Sequence, residues 1–174
     1  MSNSEKEVSE LCVSCGMCCD GTLFARGFVR DEADRKVADD CGMVTLKIKE
    51  TLFFNLPCHH FSTCCTIYDK PRPHTCSVYF CPPIKRHKSG EQSFEDTEQQ
   101  VQTLQQQRDK LLKIASEFPE LSQLNFRELK ARLEEWAGDE EKVALYKHLF
   151  LILFIFDDVR KRYFTPTEKD KLVI

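Results

Sequence analysis

The chain's chemistry lies in its thiols. Cys12, Cys15, Cys18 and Cys19 stand within eight residues as Cys-x-x-Cys-Gly-x-Cys-Cys, and Cys58, Cys65, Cys76 and Cys81 form a second group among ten cysteines in all. Thiolates at two-residue spacing can converge, because the intervening turn brings both sulfurs to one side of the backbone. That is the usual arrangement for holding zinc or an iron–sulfur cluster. Gly16 can take a positive φ, which lets the backbone wrap and aim its N–H groups at the sulfurs. Adjacent Cys18 and Cys19 do not easily present both sulfurs to one tetrahedral ion. The eight cysteines therefore read as two four-ligand sites, or as one cluster with spare thiols.

The second group is spaced by six, ten and four intervening residues. Those gaps are too wide for one local knuckle, so the fold must bring these sulfurs together, against the N-terminal cluster. Cys81-Pro82 resembles the Cys-Pro that follows a ligand in bacterial ferredoxins, although the gap from Cys18 to Cys81 departs from that pattern. His59, His60 and His74 lie among the cysteines and could replace a sulfur in a zinc site, but a histidine beside ligands more often hydrogen-bonds to the site or faces water. Arg26, Arg30, Lys70 and Arg72 are candidate counter-charges to an anionic centre. Tyr68 reads as a packing residue or a hydrogen-bonding neighbour of the site.

From Cys12 to Phe24 the sequence runs Cys-x-x-Cys-Gly-x-Cys-Cys-Asp-Gly-Thr-Leu-Phe, followed by Pro57-Cys58 and by Cys65-Thr-Ile-Tyr-Asp-Lys-Pro-Arg-Pro-His-Thr-Cys76. This order resembles the bacterial cysteine-cluster family, described as a zinc- or iron-chelating domain and named for its CxxCxxCC motif. The likeness covers roughly residues 12–82, with one departure: Lys70-Pro71 precedes Arg72-Pro73, an extra proline. The resemblance implies ligands at Cys12, Cys15, Cys18, Cys19, Cys58, Cys65 and Cys76, with Cys81 added on its position. Cys41 and Cys64 fall outside the motif and read as free, buried thiols. The family also resembles the cysteine-rich part of flagellin lysine N-methylases, which implies an iron–sulfur cluster. Methyltransferase activity does not carry over, since no glycine-rich S-adenosylmethionine loop is present.

The elements that must position these thiols divide near Ser89-Gly90, because all ten cysteines and four of the five histidines precede that point. We expect a polar N-terminal segment over 1–11, a cysteine-cluster metal-binding region over 12–88 and a C-terminal helical region over 89–174, integrated as one domain. Asp20-Gly21 signals a turn, and Glu32 to Asp39 a short helix. Val44, Leu46 and Ile48 alternate with polar residues as in a half-buried strand, with Leu52 to Leu56 as its hairpin partner. Cys58 to Pro83, crowded with prolines, predicts an irregular, metal-organised loop.

The second part predicts three helices. Val101, Leu104, Leu111, Ala115 and Phe118 give the first stripe, and Asn125 with Glu128 forms a capping box before Phe126, Leu129, Leu133 and Trp136. Gly138-Asp139 caps the third, whose wide apolar set from Val143 to Val159 predicts a central core helix buried on several sides, a partner-binding surface being its other use.

Bulk properties exclude several classes. A net charge of −3 gives no reason to expect nucleic acid. The apolar run Leu149 to Phe156 is too short to cross a bilayer, so no membrane partner is expected. Met1 to Leu11 has no apolar core of a signal peptide, which points to a reducing cytosol and to metal rather than disulfides. Gly-x-Ser-x-Gly, phosphate-loop and His-Glu-x-x-His motifs are lacking, so no catalytic role is assigned. The expectation is thus an α+β, mainly α protein: an irregular, metal-stapled N-terminal half packed on a C-terminal helical unit. It would bind an iron–sulfur cluster, favoured by a small margin, or zinc, in a redox or accessory role. The alternatives are a zinc-stapled structural or interaction module whose C-terminal helices meet a protein partner, and a metal chelation or delivery factor.

Overall fold

The computed structural model describes residues 3–167. Eight helices and three strands occur among them, an α+β arrangement that is mainly α. The chain separates into two compact units, one running to Cys81 and the other starting at Pro82.

In the first unit, α1 spans Asn3–Cys15 and absorbs the segment expected to be merely polar. Val8 and Leu11 are buried, and with Cys12 and Cys15 they continue a three-four spacing. Strand β1, Arg26–Val29, is followed by α2, Glu32–Asp40, whose N-cap Asp31 accepts from the Asp34 N–H. The expected hairpin is present as β2, Thr45–Ile48, and β3, Thr51–Asn55. The sheet order is β1-β3-β2 with both pairings antiparallel, Arg26 opposite Asn55 and Thr45 opposite Phe54. Gly27 is directly across from Phe54, and a Cβ on it would stand 2.0 Å from that ring's tip. The close approach lets the Phe54 ring reach the core that Val29, Ala38, Met43 and Ile67 share with it. Beyond β3 the chain is irregular until two short helices, α3 at His74–Val78 and, at the start of the second unit, α4 at Pro82–Lys88.

The second unit continues with α5, Phe94–Ala115, α6, Phe126–Trp136, α7, Glu140–Leu145, and α8, Lys147–Phe164. The capping box is formed: the Glu128 N–H donates to Asn125 Oδ1 at 3.1 Å and the Asn125 N–H to Glu128 Oε2 at 2.9 Å. Val101, Leu104, Leu111, Leu129, Leu133, Leu149 and Phe156 form the interior.

The third expected helix is interrupted. It breaks at Tyr146, whose hydroxyl donates to Glu120 and whose ring stacks on Trp136 at 4.9 Å. These contacts hold Tyr146 at φ −104°, outside the helical range. The expectation of burial on several sides is also corrected. Leu149, Ile152, Leu153 and Phe156 face inward, whereas Leu151 is 57% and Phe154 71% exposed. The buried residues follow a three-four spacing along one stripe, and Leu151, Phe154 and Ile155 lie outside it.

Candidate metal centre

Three residues apart on the last turns of α1, Cys12 and Cys15 share a helix face. The last turn carries no basic residue, and a helix C-terminus bears partial negative charge that disfavours thiolates. Two thiols held there gain most from a cation. The helix ends as Gly16 turns left-handed at φ 64°. Its carbonyl accepts from the Cys19 N–H at 2.7 Å and the Asp20 N–H at 2.8 Å, so those amides point at an oxygen and not, as expected, at sulfur. The Phe61 ring covers Gly16 so closely that a Cβ would lie 1.7 Å from its tip. Only glycine satisfies both the torsion and the contact.

The second cysteine segment is tied to this turn directly. The Cys58 N–H donates to the Cys19 carbonyl at 2.7 Å, just after the cis Leu56-Pro57 bond. Cys58, Cys65 and Cys76 all pack, half-buried, on the Val29–Ala38–Met43–Phe54–Ile67 core. Cys76 comes from α3, whose first N–H, that of His74, donates to Asp34 Oδ1 at 2.7 Å. Asp34, 5% exposed on α2, also accepts from the Arg30 N–H at 2.9 Å. It thereby fixes β1, α2 and α3 together behind Cys76. The sequence reading missed this positioning role; the one signal for it was an acidic residue inside the short helical stretch. At the other side, the Ser9 hydroxyl donates to the Tyr68 hydroxyl at 2.9 Å, joining α1 to the loop of the second cluster.

Electrostatics sort the eight thiols. Burial first, then repulsion from Cys81, Cys15, Cys19 and Cys12, drives the Cys18 thiol well above its ordinary range. Cys19 is pushed up to about 12 by burial and then by Cys76, Cys58 and Cys65. Cys76 also reaches about 12, through burial and Cys58, with Arg72 pulling it back down. Tyr79 is raised by burial and by Cys18, Cys81 and Cys12. Repulsion of this kind acts over several ångströms, so it marks neighbourhoods and not bonds. Adjacent in sequence, Cys18 and Cys19 sit in different company.

The remaining candidates take definite places. His59 and His60 each put Nε2 on the Cys41 carbonyl, at 3.1 and 2.7 Å. A carbonyl only accepts, so both Nε2 atoms carry protons and are occupied as donors. His74 Nδ1 lies 3.3 Å from Arg30 Nη1 and must accept, since guanidinium only donates. Arg72 stands 4.1 Å over the Tyr68 ring, its charge partly offsetting the rise at Cys76, and Tyr68 has a packing role as well as its hydrogen bond. Cys41 is half-buried and Cys64 exposed, which corrects the expectation that both are buried. Cys41 rests against the sheet core with its Sγ 3.4 Å from the Pro71 carbonyl, whereas Cys64 lies in the irregular loop before Cys65.

None of the ten cysteines is joined in a disulfide. Among the described residues no set of three or more His, Cys, Asp or Glu side chains is arranged, as it stands, to hold a metal ion. The thiols are gathered without being closed into a cage. Their chemistry nonetheless suits a thiophilic metal: Cys12, Cys15, Cys19 and Cys81 lie in the neighbourhood of Cys18, while Cys58, Cys65 and Cys76 lie in that of Cys19, and His59 and His60 hold their Nε2 atoms on the Cys41 carbonyl. A further fit is the Thr22 hydroxyl, 7% exposed, which is buried without a hydrogen-bond partner. It belongs to the loop that folds back on the cysteine turn, where the Leu23 N–H donates to the Met17 carbonyl at 2.9 Å. A buried hydroxyl left unpaired is costly, and a bound sulfur-rich centre would give it an acceptor. Among the described residues no helix is long and apolar enough to cross a membrane. Compared with known protein families, with curated proteins and with solved structures, the chain finds no match.

Proposed function

We propose that the first unit binds a thiophilic metal centre, an iron–sulfur cluster or zinc, through Cys12, Cys15, Cys18, Cys19, Cys58, Cys65, Cys76 and Cys81. In this it acts as the cysteine-cluster family it resembles, with a redox or accessory role. The observation that carries the reading is the bond from the Cys58 N–H to the Cys19 carbonyl at 2.7 Å, which brings the two cysteine segments to one place. The supporting facts are the apolar packing of Cys58, Cys65 and Cys76 and the unpaired Thr22 hydroxyl. Pure sulfur donors in a desolvated setting favour iron–sulfur by a small margin. The test is protein purified without oxygen, with its visible spectrum and its iron, acid-labile sulfide and zinc per chain. Brown protein with matched iron and sulfide supports a cluster. Protein with no bound metal, and none taken up on reconstitution, overturns the proposal.

One observation favours the zinc-stapled module. The sheet core consists of five buried residues, Val29, Ala38, Met43, Phe54 and Ile67, a small interior of the kind that metals commonly reinforce. Colourless protein with stoichiometric zinc, losing structure in the first unit on chelation, decides for that reading.

A further inference from the structure

We propose that the eight cysteines form two separate four-thiol centres, Cys12, Cys15, Cys18 and Cys81 in one and Cys19, Cys58, Cys65 and Cys76 in the other, divided at the Cys18–Cys19 peptide bond. The inference rests on the metal-binding reading above and adds the number of centres and the owner of each ligand.

Three structural facts make the division. Cys12 and Cys15 share the last turns of α1, and the left-handed Gly16 carries the chain from them into the turn that holds Cys18. Cys58, Cys65 and Cys76 pack on one apolar core, and Cys19 is anchored to that group through its own carbonyl, which accepts from the Cys58 N–H. Cys81 needs a separate argument, since it is far in sequence from both groups. It is buried, 8% exposed, two residues after Tyr79. The Tyr79 ring packs edge-on against Phe24 at 5.0 Å, and the neighbouring Leu23 N–H is bonded to the Met17 carbonyl. That chain of contacts delivers Cys81 to the Met17–Cys18 side.

Adjacent residues have Cα atoms about 3.8 Å apart, so one peptide unit spans the border between the centres. A tetrahedral site closed by four thiolates has no open position, which is the pattern of structural or electron-transfer centres and not of a site that binds substrate at the metal.

Cadmium is the probe. The full-length protein is reduced without oxygen, loaded with Cd2+, and examined by cadmium NMR with correlations from each bound cadmium to cysteine β-protons. We expect two bound cadmium ions per chain, one correlated with Cys12, Cys15, Cys18 and Cys81 and the other with Cys19, Cys58, Cys65 and Cys76. One cadmium correlated with both Cys18 and Cys19, or a single bound ion, overturns the division while leaving metal binding intact. Absence of any bound metal, cadmium included, overturns the underlying reading instead. Variants give an independent check through metal content: Cys81→Ser and Cys58→Ser each lose about half of the bound cadmium, and the double variant loses all of it. If both single variants fold, as circular dichroism reports, and both lose the same ion, the division fails.

Discussion

In the second unit Leu104, Leu111, Leu129, Leu133 and Leu149 are wholly buried on three helices. In the first, the sheet core of Val29, Ala38, Met43, Phe54 and Ile67 is ringed by Cys41, Cys58, Cys65 and Cys76. The helical unit places large branched side chains against one another and caps its helices with Ser93, Asn125 and Asp139. The cysteine unit has strands of four or five residues and left-handed torsions at Gly16, Gly21, Gly42 and Lys49. Apolar burial stabilises at roughly 25 cal/mol per Å2, so thiols at the rim of a core contribute less than leucines in its middle. The difference teaches that the first unit's specificity lies in turns and single close contacts, where the second relies on broad apolar burial.

The largest expected effect breaks the comparison open. A strong chelator applied to metal-loaded protein should make the segment up to Cys81 sensitive to protease, while fragments containing α5 to α8 survive. Equal resistance of both units would show that metal does not hold the first together. Next, Leu111→Ala should destabilise the second unit by about 2–5 kcal/mol through transfer and cavity costs, with metal content unchanged. A parallel loss of metal would show that the two units are not stabilised independently. Gly16→Ala should act on the first unit alone. A left-handed alanine costs about 1–2 kcal/mol, and moving the Phe61 ring adds about 1–3 kcal/mol; thermal melting with metal analysis reads both, and an unchanged melting curve would refute the contact. The smallest effect concerns Thr22→Val. We expect loaded protein to lose about 1 kcal/mol with its hydroxyl donor, and a gain in stability would mean that the hydroxyl serves no bound centre.

What the sequence made legible follows from how locally each feature is determined. The α2 helix, the β2–β3 hairpin and the Asn125–Glu128 box depend on residues a few positions apart, and all three are present. Helix α1 was read as a polar segment because its apolar spacing emerges only when Cys12 and Cys15 are counted with Val8 and Leu11. Strand β1 is four residues long and contains Arg26 and Gly27, so nothing in its own sequence announces it; its pairing with β3 does. The break at Tyr146 comes from Glu120 and Trp136, residues distant in sequence. For the site, the motif made the candidate thiols legible. The tie between the two cysteine segments was not, because it depends on a hydrogen bond between Cys58 and Cys19 that no spacing encodes.

That same bond has a consequence in time. Joining the Cys58 N–H to the Cys19 carbonyl closes about forty residues of chain, a costlier event than a helical turn and a slower one. Cys81, the last cysteine of the sequence, emerges from the ribosome only after every other thiol. During synthesis the thiols of α1 and the Gly16 turn are therefore made before the segments they are tied to. On the proposed metal-binding reading, the order of translation makes the timing of metal supply part of how this protein reaches its folded state.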